Sequence, residues 1–213
     1  MKISTGEQEL VSKATFKKQS NERGCGQCVL IEGGLIITAS HCVDWNNEGG
    51  MTLGDHFLSK ITTDAGILTA SISAVEPVSD IAILESPNSQ TFYEESNAFD
   101  DYFENIKPVK LCLETPNRFK SFPVWVWTHL NKWVAGEATF YGGNSTFGYK
   151  TDVEITGGTS GGPIVNENGE LVGVVSQGTT TEENGKFTSS AALLVLALPA
   201  WVIARVKNYR NMN

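Results

Sequence analysis

Gly157-Gly158-Thr159-Ser160-Gly161-Gly162-Pro163 surrounds one serine with residues too small to bury it. The glycines let the backbone turn tightly and bring main-chain N–H groups close to a bound carbonyl, an approach that a Cβ would obstruct. A plain glycine-rich turn has the same composition, so the rest of the chain must decide between the two readings. A serine hydroxyl is a poor nucleophile at neutral pH. It needs a base within hydrogen-bond reach and a third group to orient that base. The chain has three histidines, His41, His56 and His129, and all precede Ser160.

That order is informative. Gly158-Thr159-Ser160-Gly161-Gly162 also matches the G-x-S-x-G nucleophile elbow, but in that arrangement acid and histidine follow the serine, and no histidine does so here. An order with aspartate first is excluded as well, since no aspartate precedes His41. Histidine, aspartate, serine remains. His41 ends the run Leu35-Ile36-Ile37-Thr38-Ala39-Ser40-His41-Cys42-Val43, which reads as a buried β-branched strand carrying a histidine at its tip. Asp80 opens a second apolar run, Asp80-Ile81-Ala82-Ile83-Leu84, after the turn-like Glu76-Pro77-Val78-Ser79. An aspartate at the mouth of a buried strand can hold an imidazole in one tautomer and stabilise the imidazolium. Singly, each has a bland reading as a surface histidine or a solvated turn aspartate. Their joint occurrence with the serine motif favours a triad.

On these residues the chain resembles the trypsin-like (chymotrypsin-fold) serine peptidases: Ile37-Thr38-Ala39-Ser40-His41-Cys42, Asp80-Ile81-Ala82-Ile83-Leu84 and Gly158-Thr159-Ser160-Gly161-Gly162-Pro163. Asn105 to Leu111 looks like the segment joining the two barrels of that family, and Leu171 to Gly178 like its substrate-binding strand. From Thr151 to Gly173 the chain is similar to HtrA-type proteases, with no length left for the peptide-binding PDZ domain that usually follows them. The resemblance implies an all-β fold of two six-stranded-type antiparallel β-barrels with a C-terminal helix. Its expected units are an N-terminal segment (1–20), a first barrel carrying His41 and Asp80 (21–112), a second carrying Ser160 (113–198), and the helix (199–213).

The implied chemistry follows. Ser160 attacks a peptide carbonyl, His41 takes and returns the proton, Asp80 fixes the imidazole, and water hydrolyses the acyl-enzyme. Gly158 and Ser160 N–H groups are expected to form the oxyanion hole. Glu154, Ile155, Thr156, Val175, Ser176, Gln177 and Gly178 are expected at the substrate, with Ser176 to Gly178 offering main-chain groups to an extended peptide. Ile155 and Val175 favour a small or medium apolar side chain before the cleaved bond, whereas an inward Glu154 would favour lysine or arginine. One departure stands out. Thr159 occupies the position where zymogen-type members carry an aspartate that pairs with a newly cut N-terminus, and the Ile-Val-Gly-Gly start is missing. A preformed oxyanion hole or another control, such as loop ordering or a regulatory protein partner, is then expected. Competing readings are a binding scaffold that keeps the fold without activity, and an esterase-type hydrolase using the same triad.

Composition agrees with a globular β protein. At 213 residues, 40% hydrophobic and 19% charged, the chain can bury a large core in one or two β units. Strands are expected at Cys28–Ile31, Leu35–Thr38, Ile67–Ile72, Ile81–Leu84, Val124–Thr128, Ala138–Tyr141, Pro163–Val165, Leu171–Ser176 and Ala192–Ala197. Beyond them, Pro199 should sit at the first turn of a helix, with Trp201, Val202 and Val206 on the second barrel. The net charge of −8 disfavours nucleic acid, and the acidic group Glu94, Glu95, Asp100, Asp101 and Glu104 reads as a solvated interbarrel loop. Ala191 to Ala204 is too short to span a membrane, and Met1 to Ser20 lacks an apolar signal core, so a cytoplasmic location is expected unless a leader was trimmed. In that compartment the four cysteines are expected as thiols, although the resemblance brings Cys25 and Cys42 near the histidine-loop disulfide of secreted members. Cys25-Gly26-Gln27-Cys28 has no second well-spaced pair, so neither a metal nor a cofactor is expected. His56 and His129 have no motif around them and read as surface or packing histidines. Trp125, Trp127 and Trp133 read as core and rim of the second barrel.

Overall fold

Ser4 and Glu7 start the first helix. The Glu7 N–H donates to Ser4 Oγ at 3.3 Å and the Ser4 N–H to the Glu7 carboxylate at 3.1 Å, a capping box opening α1 (Thr5–Lys13). The computed structural model describes residues 3–19, 25–43, 58–178 and 181–213; His56 lies outside them. α1 leads into β1 (Thr15–Gln19), followed by β2 (Gly26–Ile31), β3 (Leu35–Thr38), β4 (Leu58–Thr63), β5 (Gly66–Glu76) and β6 (Ile81–Glu85). These six close into an antiparallel barrel in the order β1-β2-β3-β6-β5-β4, with β4 pairing back onto β1. β1 falls in the stretch read as a polar N-terminal segment, yet without it the barrel would be open. Every residue of β2 and β3 is buried, as their unbroken apolar runs require. The turn between them needs left-handed backbone at both Gly33 (φ 87°) and Gly34 (φ 70°).

The acidic segment is not a loop. It forms α2 (Tyr93–Phe103), whose charged residues face outward while Phe99 and Phe103, one turn apart, are buried on the first barrel. Phe103 meets the edge of Phe16 from β1, with ring centroids 5.2 Å apart. The sequence-based reading followed the charges and passed over the i, i+4 aromatic pair.

After α2 the chain stitches the two halves together. Val109 bridges Ile31 of β2 in parallel, and Leu111 bridges Leu171. The second half contains β7 (Ser121–Trp127), β8 (Trp133–Thr139), β9 (Thr146–Thr151), β10 (Pro163–Val165), β11 (Leu171–Val174), β12 (Thr181–Glu183) and β13 (Lys186–Ala192). Its sheet runs β11-β10-β7-β8-β9-β13-β12, and a Val175–Ala191 bridge curls it into a half-barrel. The fold is therefore mostly β, a closed barrel beside a partly closed one, with helices at its periphery.

The strand expected over Ala192–Ala197 is corrected. β13 ends at Ala192, and a helical turn, α3 (Leu194–Ala197), follows. Pro199 caps α4 (Ala200–Met212), close to the expected start. It is seated against both halves. Val202 and Val206 are fully buried in a core that joins the first barrel, the joining segment and second-half residues such as Trp125, Leu171 and Leu194, while Trp201 stays 42% exposed. Arg205 fixes this placement, donating to Gly33 O at 2.7 Å and to Glu85 of the first barrel at 2.9 Å. A separate cluster, including Val124, Val126, Phe147, Tyr149, Ile155, Ile164 and Val175, fills the second half. Trp125 is buried, and Trp127 packs on Trp133 at 5.2 Å.

Candidate active site

β3 ends in a single 3-10 turn, Ser40–Cys42, which carries His41 to the edge of the first barrel. Asp80 meets it from the start of β6. Its backbone lies in the left-handed region at φ 56°, a conformation that aspartate tolerates better than most residues. A net of hydrogen bonds holds it there. Ser40 N donates to Asp80 O at 3.1 Å. Oδ1 accepts from Ser40 Oγ at 2.7 Å and from the His41 N–H at 3.0 Å. Oδ2 takes the imidazole at Nδ1, 2.7 Å away, and the Ser176 hydroxyl at 2.6 Å. A carboxylate beside Nδ1 makes that nitrogen the donor, so the free Nε2 is left for other chemistry.

These contacts shift both groups. The hydrogen bond to Asp80 raises His41 from its ordinary value to about 10, with the Cys42 thiol contributing in the same direction and burial opposing. Burial pushes the Asp80 carboxyl up, but the hydrogen bonds from His41, Ser176 and Ser40 outweigh this and hold it below the usual range.

Ser160 comes from the other half of the molecule. Its loop is clamped between the two sheets: Gln27 N of β2 donates to Ser160 O at 2.7 Å, and Gly161 N donates to Val175 O at 2.7 Å. The clamp explains the glycines. A Cβ on Gly161 (φ 78°) would lie 2.0 Å from Gln27 O, deep inside backbone that cannot move aside. On the other side of the serine, Thr156 to Thr159 forms a turn closed by a 3.4 Å Thr159 N–H to Thr156 O bond. Gly158 sits third in it at φ 91°, the signature of a type II turn. Neither Gly158 N–H nor Ser160 N–H is used in the hydrogen bonding among the described residues.

His41, Asp80 and Ser160 line one open cleft of about 640 Å³. Ser160 Oγ has no hydrogen-bond partner among the described residues; nucleophile and base are often apart until substrate draws them together. Ser176, Gln177 and Gly178 line the same cleft. Glu154 and Thr156 are exposed outside it, whereas Ile155 and Val175 are 1% exposed and belong to the core beneath. Gly178 sits close over Ile155, so that a Cβ there would lie 2.8 Å from Ile155 O. The sequence-based reading missed Ser190, Ala191 and Ala192 of β13, and Pro77, Val78, Ser79 and Thr146, which complete the lining. Lys186–Ala192 carries no clean alternation of apolar and polar residues that would mark β13. The apolar run after Ala192 masked the strand.

The cysteines and His129 complete the surroundings of the site. All four cysteines are free, so the Cys25–Cys42 bond implied by the resemblance is not formed. Cys42 is buried with its Sγ 3.8 Å from the Ser160 carbonyl, whereas Cys25 is exposed. Cys28 is buried as well, and desolvation pushes its thiol up to about 12. His129 is no idle surface residue, since its Nδ1 lies 2.9 Å from Oγ1 of Thr159 beside the serine.

With this geometry in place, comparison with known proteins is informative. Residues 26–174 match the model of the trypsin-like peptidase domain family. No curated protein matches the chain significantly. Among solved structures it is similar to a serine endoprotease from Yersinia pestis, at 17% identity and TM-score 0.59 over 98% of this chain and 68% of that one. The serine protease of a human pathogenic astrovirus aligns at 19% identity and TM-score 0.51, over 85% and 89% of the two chains. Protease Rv3671c of M. tuberculosis, in an inactive form, aligns at 16% and TM-score 0.56, over 97% and 92%. At such identities these likenesses concern the fold, but the family match covers well over half of the sequence, and the chain belongs to the trypsin-like peptidase domain family.

Proposed function

We propose that the protein is a serine endopeptidase in which His41, Asp80 and Ser160 are the catalytic triad. The observation that carries the proposal is the Asp80–His41 hydrogen bond of 2.7 Å at Nδ1, in a cleft shared with Ser160. In this reading Nε2 of His41 takes the Ser160 proton as Oγ attacks a peptide carbonyl. It then returns the proton to the leaving amine, and water releases the acyl group by the same route. Asp80 stays ionised and stabilises the imidazolium. The unused N–H groups of Gly158 and Ser160 receive the oxyanion, where one such donor contributes about 3 kcal/mol to transition-state stabilisation. Ser176, Gln177 and Gly178 form the edge along which an extended peptide pairs.

Selectivity follows from the lining. Small residues, Ser190, Ala191 and Ala192, form one wall, and Asp80, the only charged residue among those lining the cleft besides His41, is occupied by the imidazole. Glu154 is exposed away from the cleft. A small, uncharged side chain before the cleaved bond is therefore favoured over lysine or arginine. Digestion of a diverse peptide library tests the proposal. Wild-type protein is expected to cut after small uncharged residues, and Ser160→Ala to lose at least about 1000-fold in rate. Hydrolysis of activated esters with no peptide cleaved would replace the peptidase by an esterase. Cleavage retained in Ser160→Ala would remove the triad.

A further inference from the structure

We infer that His129 is a positioning residue that holds the serine loop in its oxyanion-binding shape by anchoring Thr159; the inference rests on the peptidase reading. Thr159 lies between the two proposed oxyanion donors, Gly158 N–H and Ser160 N–H, and is fully buried. Its own backbone holds the turn weakly: the bond that closes it, Thr159 N–H to Thr156 O, is 3.4 Å long. Something else must fix the orientation of the Gly157–Gly158 peptide, because turns with and without left-handed backbone at Gly158 differ mainly by rotation of that unit.

His129 supplies the fixed point. It sits in the turn joining β7 and β8, which is closed by Thr128 N–H to Lys132 O at 3.0 Å, a second bond from Thr128 Oγ1 to the same carbonyl, and Asn131 N–H to Thr128 O at 2.9 Å. From this tight turn the ring meets the serine loop twice. Nδ1 bonds Thr159 Oγ1 at 2.9 Å, and the ring face packs on Gly158 so closely that a Cβ there would lie 3.3 Å from its Cγ. Rotating the Gly157–Gly158 peptide would disturb both contacts. A half-buried histidine on one hairpin thus restrains the two residues on which oxyanion geometry depends, without reaching the reacting atoms.

Such a residue should act on turnover more than on binding. His129→Ala and Thr159→Val are each expected to lower kcat about 10- to 100-fold with KM changed less than about 3-fold, the scale of a small misplacement in an active site. Because both remove one link, the double variant should be no worse than the poorer single one. His129→Asn, which keeps a polar atom near the Nδ1 position, and Thr159→Ser should recover most of the loss. Amide NMR of the same proteins supplies a readout independent of turnover: in His129→Ala the Gly158 and Ser160 amide signals should shift or broaden, while the low-field proton of the His41–Asp80 bond stays in place. Unchanged kcat and unchanged amide signals in His129→Ala, or multiplicative losses in the double variant, would overturn the inference. Wild-type protein inert to peptides and to a fluorophosphonate would instead sink the peptidase reading. In that case the amide signals alone decide whether His129 anchors the loop.

Discussion

Asp80 adopts a backbone conformation that costs most residues roughly 1–3 kcal/mol, and the hydrogen bonds that hold it there are the ones that organise His41. The strain and the site share one cause. Its consequence for pH follows from the two shifts. His41 is raised to about 10, so the ion pair's contribution to stability is full below an ordinary histidine pKa of about 6.5 and fades as pH climbs through the folded value. Asp80 is lowered, so its contribution is full above the ordinary aspartate range and is lost in acid. In the proposed mechanism His41 reacts in its neutral form, so kcat/KM should rise with pH along a limb on the alkaline side of 6.5. Asp80→Asn should bring that limb down toward the ordinary value and cut kcat by about 10³–10⁴. A limb at the same pH in both proteins would show that Asp80 does not set the histidine. At this scale the proposed triad was legible in the sequence. The sequence marked Ser160, His41 and Asp80, which the fold brings to one cleft, because each sits at the end of an apolar run or among glycines. His129 was missed, since its partner lies thirty residues away and no local pattern marks it.

Elements were read less evenly. Strands with long apolar runs, such as β2, β3 and β6, were placed within a residue or two, because burial on both faces leaves little room for polar residues. α2 and β13 were misread for opposite reasons: surface charge hid the buried aromatic edge of α2, and the apolar turn of α3 drew the strand past its end. α1 announced itself through Ser4 and Glu7, a cap that went unused. α4 was found, but nothing in its apolar residues says which barrel they cover; the tertiary contacts of its arginines do. Arg210 donates through Nε to both oxygens of Glu32 at 2.9 Å and through its terminal nitrogen to Leu111 O at 2.6 Å. Glu32 is 4% exposed and also accepts the Leu111 N–H at 3.1 Å, so one carboxylate joins the β2–β3 turn, the joining segment and the C-terminal helix. Glu32→Gln keeps the shape and removes the charge. It is expected to destabilise the protein by roughly 2 kcal/mol, since hydrogen bonds to charged groups are the stronger kind and Arg210 remains a third exposed. A urea unfolding midpoint equal to that of the wild type would show that α4 is held by Val202 and Val206 alone.

The two halves of the molecule divide the proposed triad between them. His41 and Asp80 belong to the closed barrel and Ser160 to the half-barrel, so the site exists only while the halves stay in register. Several links maintain that register. Gln27 N reaches Ser160 O at 2.7 Å, Ser176 Oγ reaches Asp80 at 2.6 Å, and the Ser79 and Ser145 hydroxyls meet at 2.8 Å across the cleft. The joining segment adds its parallel bridges to both sides. Among the described residues no helix is long and apolar enough to cross a membrane, and no residue of α2 lines the cleft. In the proposed mechanism, activity depends on Ser160 being activated across this interface. The most direct measurement is reaction of the wild-type protein with a fluorophosphonate, with the adduct located by peptide mass spectrometry and its rate compared in His41→Ala. The account predicts a single adduct on Ser160 that forms at least about 100-fold more slowly without His41. An adduct elsewhere, or one on Ser160 that forms equally fast without the histidine, would contradict it.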